Sequence, residues 1–169
     1  MKNQISVAGS RIVVGVDGSP QSILALRWAQ TLAPTLGAAI TAVTAWHLET
    51  IVVPYAIDDW DPEADAQQLL ADAVAEAFGE HMPEGFTALC QRGQPAQVLI
   101  EQSKSAGMLI VGSRGHGGFA GMLLGSVSSA CAEHASCPVL VVHSAQTASS
   151  PPSNRDTDVE DVREPADSH

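Results

Sequence analysis

Gly112-Ser113-Arg114-Gly115-His116-Gly117-Gly118-Phe119-Ala120-Gly121-Met122-Leu123-Leu124-Gly125-Ser126-Val127-Ser128 follows directly on the short apolar run Met108-Leu109-Ile110-Val111. Six of these seventeen loop positions are glycine, and Arg114 stands among them as a permanent cation. A strand that runs into such a loop leaves backbone N–H groups without side-chain cover, and anions bind where those groups converge ahead of a helix. The segment therefore predicts a phosphate cradle between a strand and a helix.

Outward from the loop, strand and helix patterns alternate. Arg11 to Asp17 is a β-branched run closed by Gly18-Ser19-Pro20. Ser19 suits an N-cap and Pro20 a first helical position. Ile23, Leu26, Ala29 and Leu32 mark the helix, which should end near Pro34 or Gly37. A second strand spans about 39–45, and an irregular connector over 47–61 is long enough to serve as a flap. Asp61 and Pro62 open the clearest helix, with Ala66, Leu69, Leu70, Ala73, Val74, Ala77 and Phe78 recurring at three and four. A third strand is expected near 86–91, then a helix ended by Gly107. The fourth strand follows over 108–111, a last helix over 126–135 and a fifth strand over 138–143. Strands separated by helices imply right-handed crossovers. The predicted fold class is α/β: one open, doubly wound, Rossmann-like parallel sheet of five strands with helices on both faces. The order 3-2-1-4-5 belongs to that class rather than to the pattern itself.

Composition narrows the function classes. The 169 residues suffice for one domain with a real core. Residues 10–143 form the expected nucleotide-binding unit, between a tail at 1–9 and an acidic tail at 144–169 too poor in apolar residues to order itself. No apolar run reaches the ~18 residues of a membrane span, and the first ten residues lack a signal-like apolar core, so a cytoplasmic location is expected. The formal net charge of −11 disfavours nucleic acid and anionic membranes. Cys90, Cys131 and Cys137 show no CxxC and read as small core residues. The six histidines have no metal-ligand spacing, so no metal site is expected.

The glycine loop can be set against three nucleotide motifs. A P-loop needs Gly-Lys-Ser/Thr before its helix, and no lysine follows Lys104. Gly115-His116-Gly117-Gly118-Phe119-Ala120 fits GxGxxA, yet the acidic residue expected about 20 positions on, at the next strand end, is missing, since that strand ends at His143. The third is Gly112-x2-Gly115-x9-Gly125-Ser126, followed by Val127 and Ser128. On this spacing, with Val14-Gly15-Val16-Asp17-Gly18-Ser19 at the start and Cys137-Pro138-Val139-Leu140-Val141-Val142 at the end, the sequence resembles the universal stress protein family in its ATP-binding form.

That resemblance implies a site. Gly15 and Asp17 would line the nucleoside, and Ala45 would offer main-chain bonds to adenine. Gly112 and Gly115 would approach ribose and phosphates, with Val111 beneath and Arg114 as the nearby cation. Gly125, Ser126, Val127 and Ser128 would hold phosphate oxygens. ATP, with Mg2+, is the implied ligand. Where relatives often carry arginine this chain has His116, which predicts tighter nucleotide binding at mildly acidic pH. Another departure is Gly107, where many relatives have aspartate just before the fourth strand. The implied role is a nucleotide-dependent regulatory protein of the stress response with no catalytic residues. A slow ATPase or phosphoryl- or nucleotidyl-transfer enzyme is one alternative, and a binding module for AMP, ADP or cyclic AMP another. Val139 to Val142, apolar on both faces at a sheet edge, implies a homodimer through residues 138–143.

Overall fold

A computed structural model of the chain describes residues 11–47, 61–115 and 123–144. The elements are β1 (Arg11–Gly15), α1 (Pro20–Leu36), β2 (Ile40–Trp46), α2 (Pro62–Phe78), β3 (Thr87–Arg92), α3 (Pro95–Ser103), β4 (Ala106–Gly112), α4 (Ser126–His134) and β5 (Val139–Val142). All strand pairs are parallel, in the order β3-β2-β1-β4-β5, as the sequence led us to expect.

The central strands read as continuous apolar runs because both faces of the sheet are covered. Alternation along them divides the core in two. Ile12, Val14 and Ile110 turn to the layer of α1 and α2, joined there by Leu26, Leu70 and Phe78. Val13, Leu109 and Val111 turn to the opposite layer with Leu99 and Cys131. Pairing agrees with this division, since Val14 lies opposite Ile110 and Val13 opposite Leu109.

Helix ends follow local chemistry. The Ser19 hydroxyl accepts from Ser22 N at 3.2 Å, and Gly37, at φ 58°, closes α1 in the left-handed region that glycine tolerates. Pro34 sits inside the last turn instead of ending it. Asp61 accepts from Glu63 N and Ala64 N at 3.1 and 3.2 Å, so α2 starts where the Asp-Pro pair indicates.

Several boundaries differ from the sequence reading; β1 stops at Gly15 rather than Asp17, and β4 begins at Ala106 rather than 108. Gly107 does not end α3. The helix stops at Ser103, whose hydroxyl donates to Ile100 O at 2.6 Å and accepts from Ser136 N at 2.9 Å, while Lys104 N turns back to Glu101 O. Gly107 then lies inside β4. Phe86 falls just outside β3 and meets Phe78 edge to face, with centroids 5.4 Å apart. Most of the proposed flap, both terminal tails apart from Ser144, and His116 lie outside the described residues.

Candidate functional site

A cavity of about 950 Å³ opens at the carboxyl ends of β1, β2 and β4. This is the switch point of the sheet, where β1 connects outward in one direction and β4 in the other. Apart from His116, which lies outside the described residues, the residues that the resemblance assigns to the site lie in its lining: Gly15, Asp17, Ala45, Val111, Gly112 and Arg114, and also Gly115, Gly125, Ser126, Val127 and Ser128.

The floor at one end is made by strands that part. Val16 N donates to Val43 O at 2.9 Å, and the Thr44 hydroxyl donates to Val16 O at 2.9 Å. Past the end of β1 at Gly15, these are the ties seen between the two strands among the described residues. In a parallel strand, both peptide groups of one residue point to the same side and alternate along the chain. Val43 points toward β1, while Trp46 O accepts from Gly93 N on the far side. Ala45 therefore presents its N–H and C=O to the side that β1 has vacated, facing the cavity. Gly15 keeps α3 close, because a Cβ there would lie 2.8 Å from Leu99 Cδ1.

Asp17 has two roles. Its Oδ1 accepts from the N–H and hydroxyl of Ser19, which shapes the turn into α1. Its Oδ2 lies so close to Gly115 that a Cβ at 115 would overlap it. Gly112 is glycine for a packing reason: a Cβ would lie 2.7 Å from Gln21 Cβ and 3.2 Å from Ser22 N. Its neighbour Ser113 anchors the loop, donating N–H to Val142 O at 2.7 Å.

At the other end, the loop closes on itself before α4. Ser113 O accepts from Gly125 N at 2.7 Å and from the Ser128 hydroxyl at 3.0 Å. That hydroxyl also donates to Gly125 O, and Ser128 is 2% exposed. The Gly125 N–H and Ser128 hydroxyl, expected to face a ligand, thus build the loop. What remains is the first helical turn. The first backbone bond of α4 is Ser129 N to Gly125 O, at 3.0 Å, so the N–H groups of Ser126, Val127 and Ser128 precede the helical ladder. With the Ser126 hydroxyl and half-buried Arg114 they form a donor set of the right kind for phosphate.

Sequence reasoning missed the wall contributed by α2. Asp65, Ala66 and Leu69 line the cavity. The signal was available in principle, since the Asp61-Pro62 helix start after β2 places the first turn of α2 at the carboxyl edge of the sheet. The thiols are quiet: burial, then the neighbouring Cys137, pushes Cys131 up to about 11, and burial also raises Cys90 and Cys137. Among the described residues no group of three or more His, Cys, Asp or Glu could hold a metal, and no helix is long and apolar enough to cross a membrane.

Comparison with known proteins gives a consistent result. The model of the universal stress protein family matches residues 10–143. A universal stress protein of Mycolicibacterium smegmatis is 38% identical over 133 residues, covering 78% of this chain and 45% of that protein. The chain thus spans about half the length of the curated relatives it matches. Among solved structures, universal stress protein UspA from Lactobacillus plantarum superposes with a TM-score of 0.67 at 20% identity, covering 80% of this chain and 98% of that one. A universal stress protein solved in complex with cAMP gives 0.61 at 28% identity, with the same coverage of 80% and 98%.

Proposed function

The chain belongs to the universal stress protein family, and from that membership we propose that its cavity binds an adenine nucleotide, ATP with Mg2+, and that occupancy regulates the protein in a stress response. One observation carries the reading: Ala45 peptide groups and the open first turn of α4 face the same cavity. An adenine edge needs one acceptor and one donor side by side, which an unpaired strand residue supplies. A polyphosphate needs converging N–H groups, which Ser126, Val127 and Ser128 supply, with Arg114 as counter-charge. The cation would travel on phosphate oxygens and keep several waters, as Mg2+ does when proteins lend it few ligands.

A second reading, a cyclic nucleotide, is favoured by the relative solved with cAMP. The donor count at α4 favours the triphosphate instead. No residue is assigned a catalytic role; slow hydrolysis would need a positioned water and a base. The regulated form is a cytoplasmic homodimer joined through residues 138–143.

Calorimetric titration with ATP, AMP and cAMP, each with and without Mg2+, tests the reading. ATP with Mg2+ should bind tightest. Tighter cAMP binding would replace ATP by the cyclic ligand, and no heat with any of them would refute nucleotide binding.

A further inference from the structure

The chain leaves the sheet beside the phosphate end of the cavity. Ser144, the last described residue, follows β5 by two positions and accepts a hydrogen bond from Gln21 Nε2 at 3.4 Å. Gln21 is also the residue packed on Gly112, where a Cβ would lie 2.7 Å from Gln21 Cβ. The next residue, Ser113, donates to Val142 O and accepts from N of Gly125, the cap of α4, both at 2.7 Å. Contact by contact, Ser144 is thus joined through Gln21, Gly112 and Ser113 to the open first turn of α4.

The sequence that follows Ser144 is acidic. Residues 145–169 set six Asp and Glu against Arg155 and Arg163, a formal charge of −4. Four of the six are Asp156, Asp158, Glu160 and Asp161, in one short stretch. Eleven residues separate Ser144 from Asp156. At ~3.3 Å per residue they extend up to ~40 Å, so reach is not limiting.

Charge complementarity points this stretch to one place. Of the five lysines and arginines in the described residues, Arg11 donates to Gln102 and Ser105, and Arg27 to Glu76 O. Arg92 lies over the Trp46 ring, and Lys104 pairs with Glu101. Arg114 has no hydrogen-bond, ion-pair or ring partner among the described residues, and it lines the cavity with Ser126, Val127 and Ser128. Carboxylates are favoured at a helix N-terminus and pair with a guanidinium, as phosphate does. The formal charge of −11 repels an acidic segment from most of the surface, which leaves this donor set as the attractive point.

Resting on the nucleotide reading above, we propose that the acidic segment 156–161 is an internal competitor for the phosphate end of the cavity. In the nucleotide-free protein its carboxylates accept from the first-turn N–H groups of α4 and from Arg114, and the phosphates of an incoming nucleotide displace them. A segment tethered this way acts at an effective concentration in the millimolar range. Even a weak contact then raises the apparent Kd by the inverse of the fraction of sites left free. Occupancy by ATP is thereby converted into release of an acidic segment.

The test compares three full-length proteins: wild type, a tail variant and a charge control. The tail variant carries Asp156→Asn, Asp158→Asn, Glu160→Gln and Asp161→Asn. The control carries Glu76→Gln, Glu80→Gln, Glu84→Gln and Glu133→Gln, four exposed positions at the opposite, amino end of the sheet. Calorimetric titration with ATP and Mg2+ gives one readout, and the amide NMR resonances of Ser126, Val127 and Ser128 without nucleotide give the other. The tail variant should bind ATP at least about threefold tighter than the control does and should shift those amides, while the control leaves them at their wild-type positions. An equal gain in affinity in both variants would assign the effect to net charge and overturn the proposal. Unmoved amides in the tail variant would overturn it too, by placing the segment elsewhere. If ATP binds all three proteins alike, this proposal fails and the nucleotide reading stands; if ATP binds none of them, both fail.

Discussion

Gly115 and Ser126 separate what the loop needs for folding from what it needs for a ligand. Gly115 is not at positive φ, so its backbone accepts other residues; among the described residues it is Asp17 Oδ2 that stands where a Cβ would go. Asp17 is exposed and can move. Gly115→Val should therefore keep the wild-type melting transition and circular dichroism while losing about 100-fold in ATP affinity, about 2.7 kcal/mol. Ser126→Ala removes one hydroxyl and should cost about 1–2 kcal/mol of binding. Wild-type affinity in Gly115→Val by calorimetry would remove the cradle from the account. Gly112 differs, since its missing side chain makes room for Gln21, and a substitution there would disturb α1 before any ligand. The glycine spacing marked all these positions but did not distinguish their reasons. That Ser113 ties the loop to Val142 and that the Ser128 hydroxyl turns inward are tertiary facts, set by which carbonyl each group meets.

Among the elements, helix starts were legible because capping is local: Ser19-Pro20 and Asp61-Pro62 each hold their own first turn. Ends were less so. Gly107 looked like a stop signal, yet α3 is closed by the Ser103 hydroxyl reaching Ile100 and Ser136, the latter 33 residues away, which no local pattern encodes. The edge strand β5 is the element with most to test. Val139 and Val141 pack in one layer, Leu140 and Val142 in the other, and among the described residues only β4 pairs with it. An apolar edge with unpaired peptide groups invites a second copy. Val141→Asp places a charge on that edge and should shift the protein from dimer to monomer in sedimentation velocity. A dimer that persists would locate the contact elsewhere.

For the whole molecule, the alternation of strands and helices made the fold class legible, and the sheet order followed from the class. The position of α2 over the cavity was not legible, because it depends on how a helix start meets two strand ends in space. Net charge adds a constraint at this scale. A chain with formal charge −11 repels a polyphosphate at long range, so binding has to come from dipoles and donors concentrated at one point, the start of α4. The most direct measurement is a crystal structure grown with ATP and Mg2+. Phosphate density is expected within hydrogen-bond reach of the Ser126, Val127 and Ser128 N–H groups, with the base against the Ala45 peptide. Phosphates lodged away from α4, or a cavity that stays filled with water at saturating nucleotide, would contradict it.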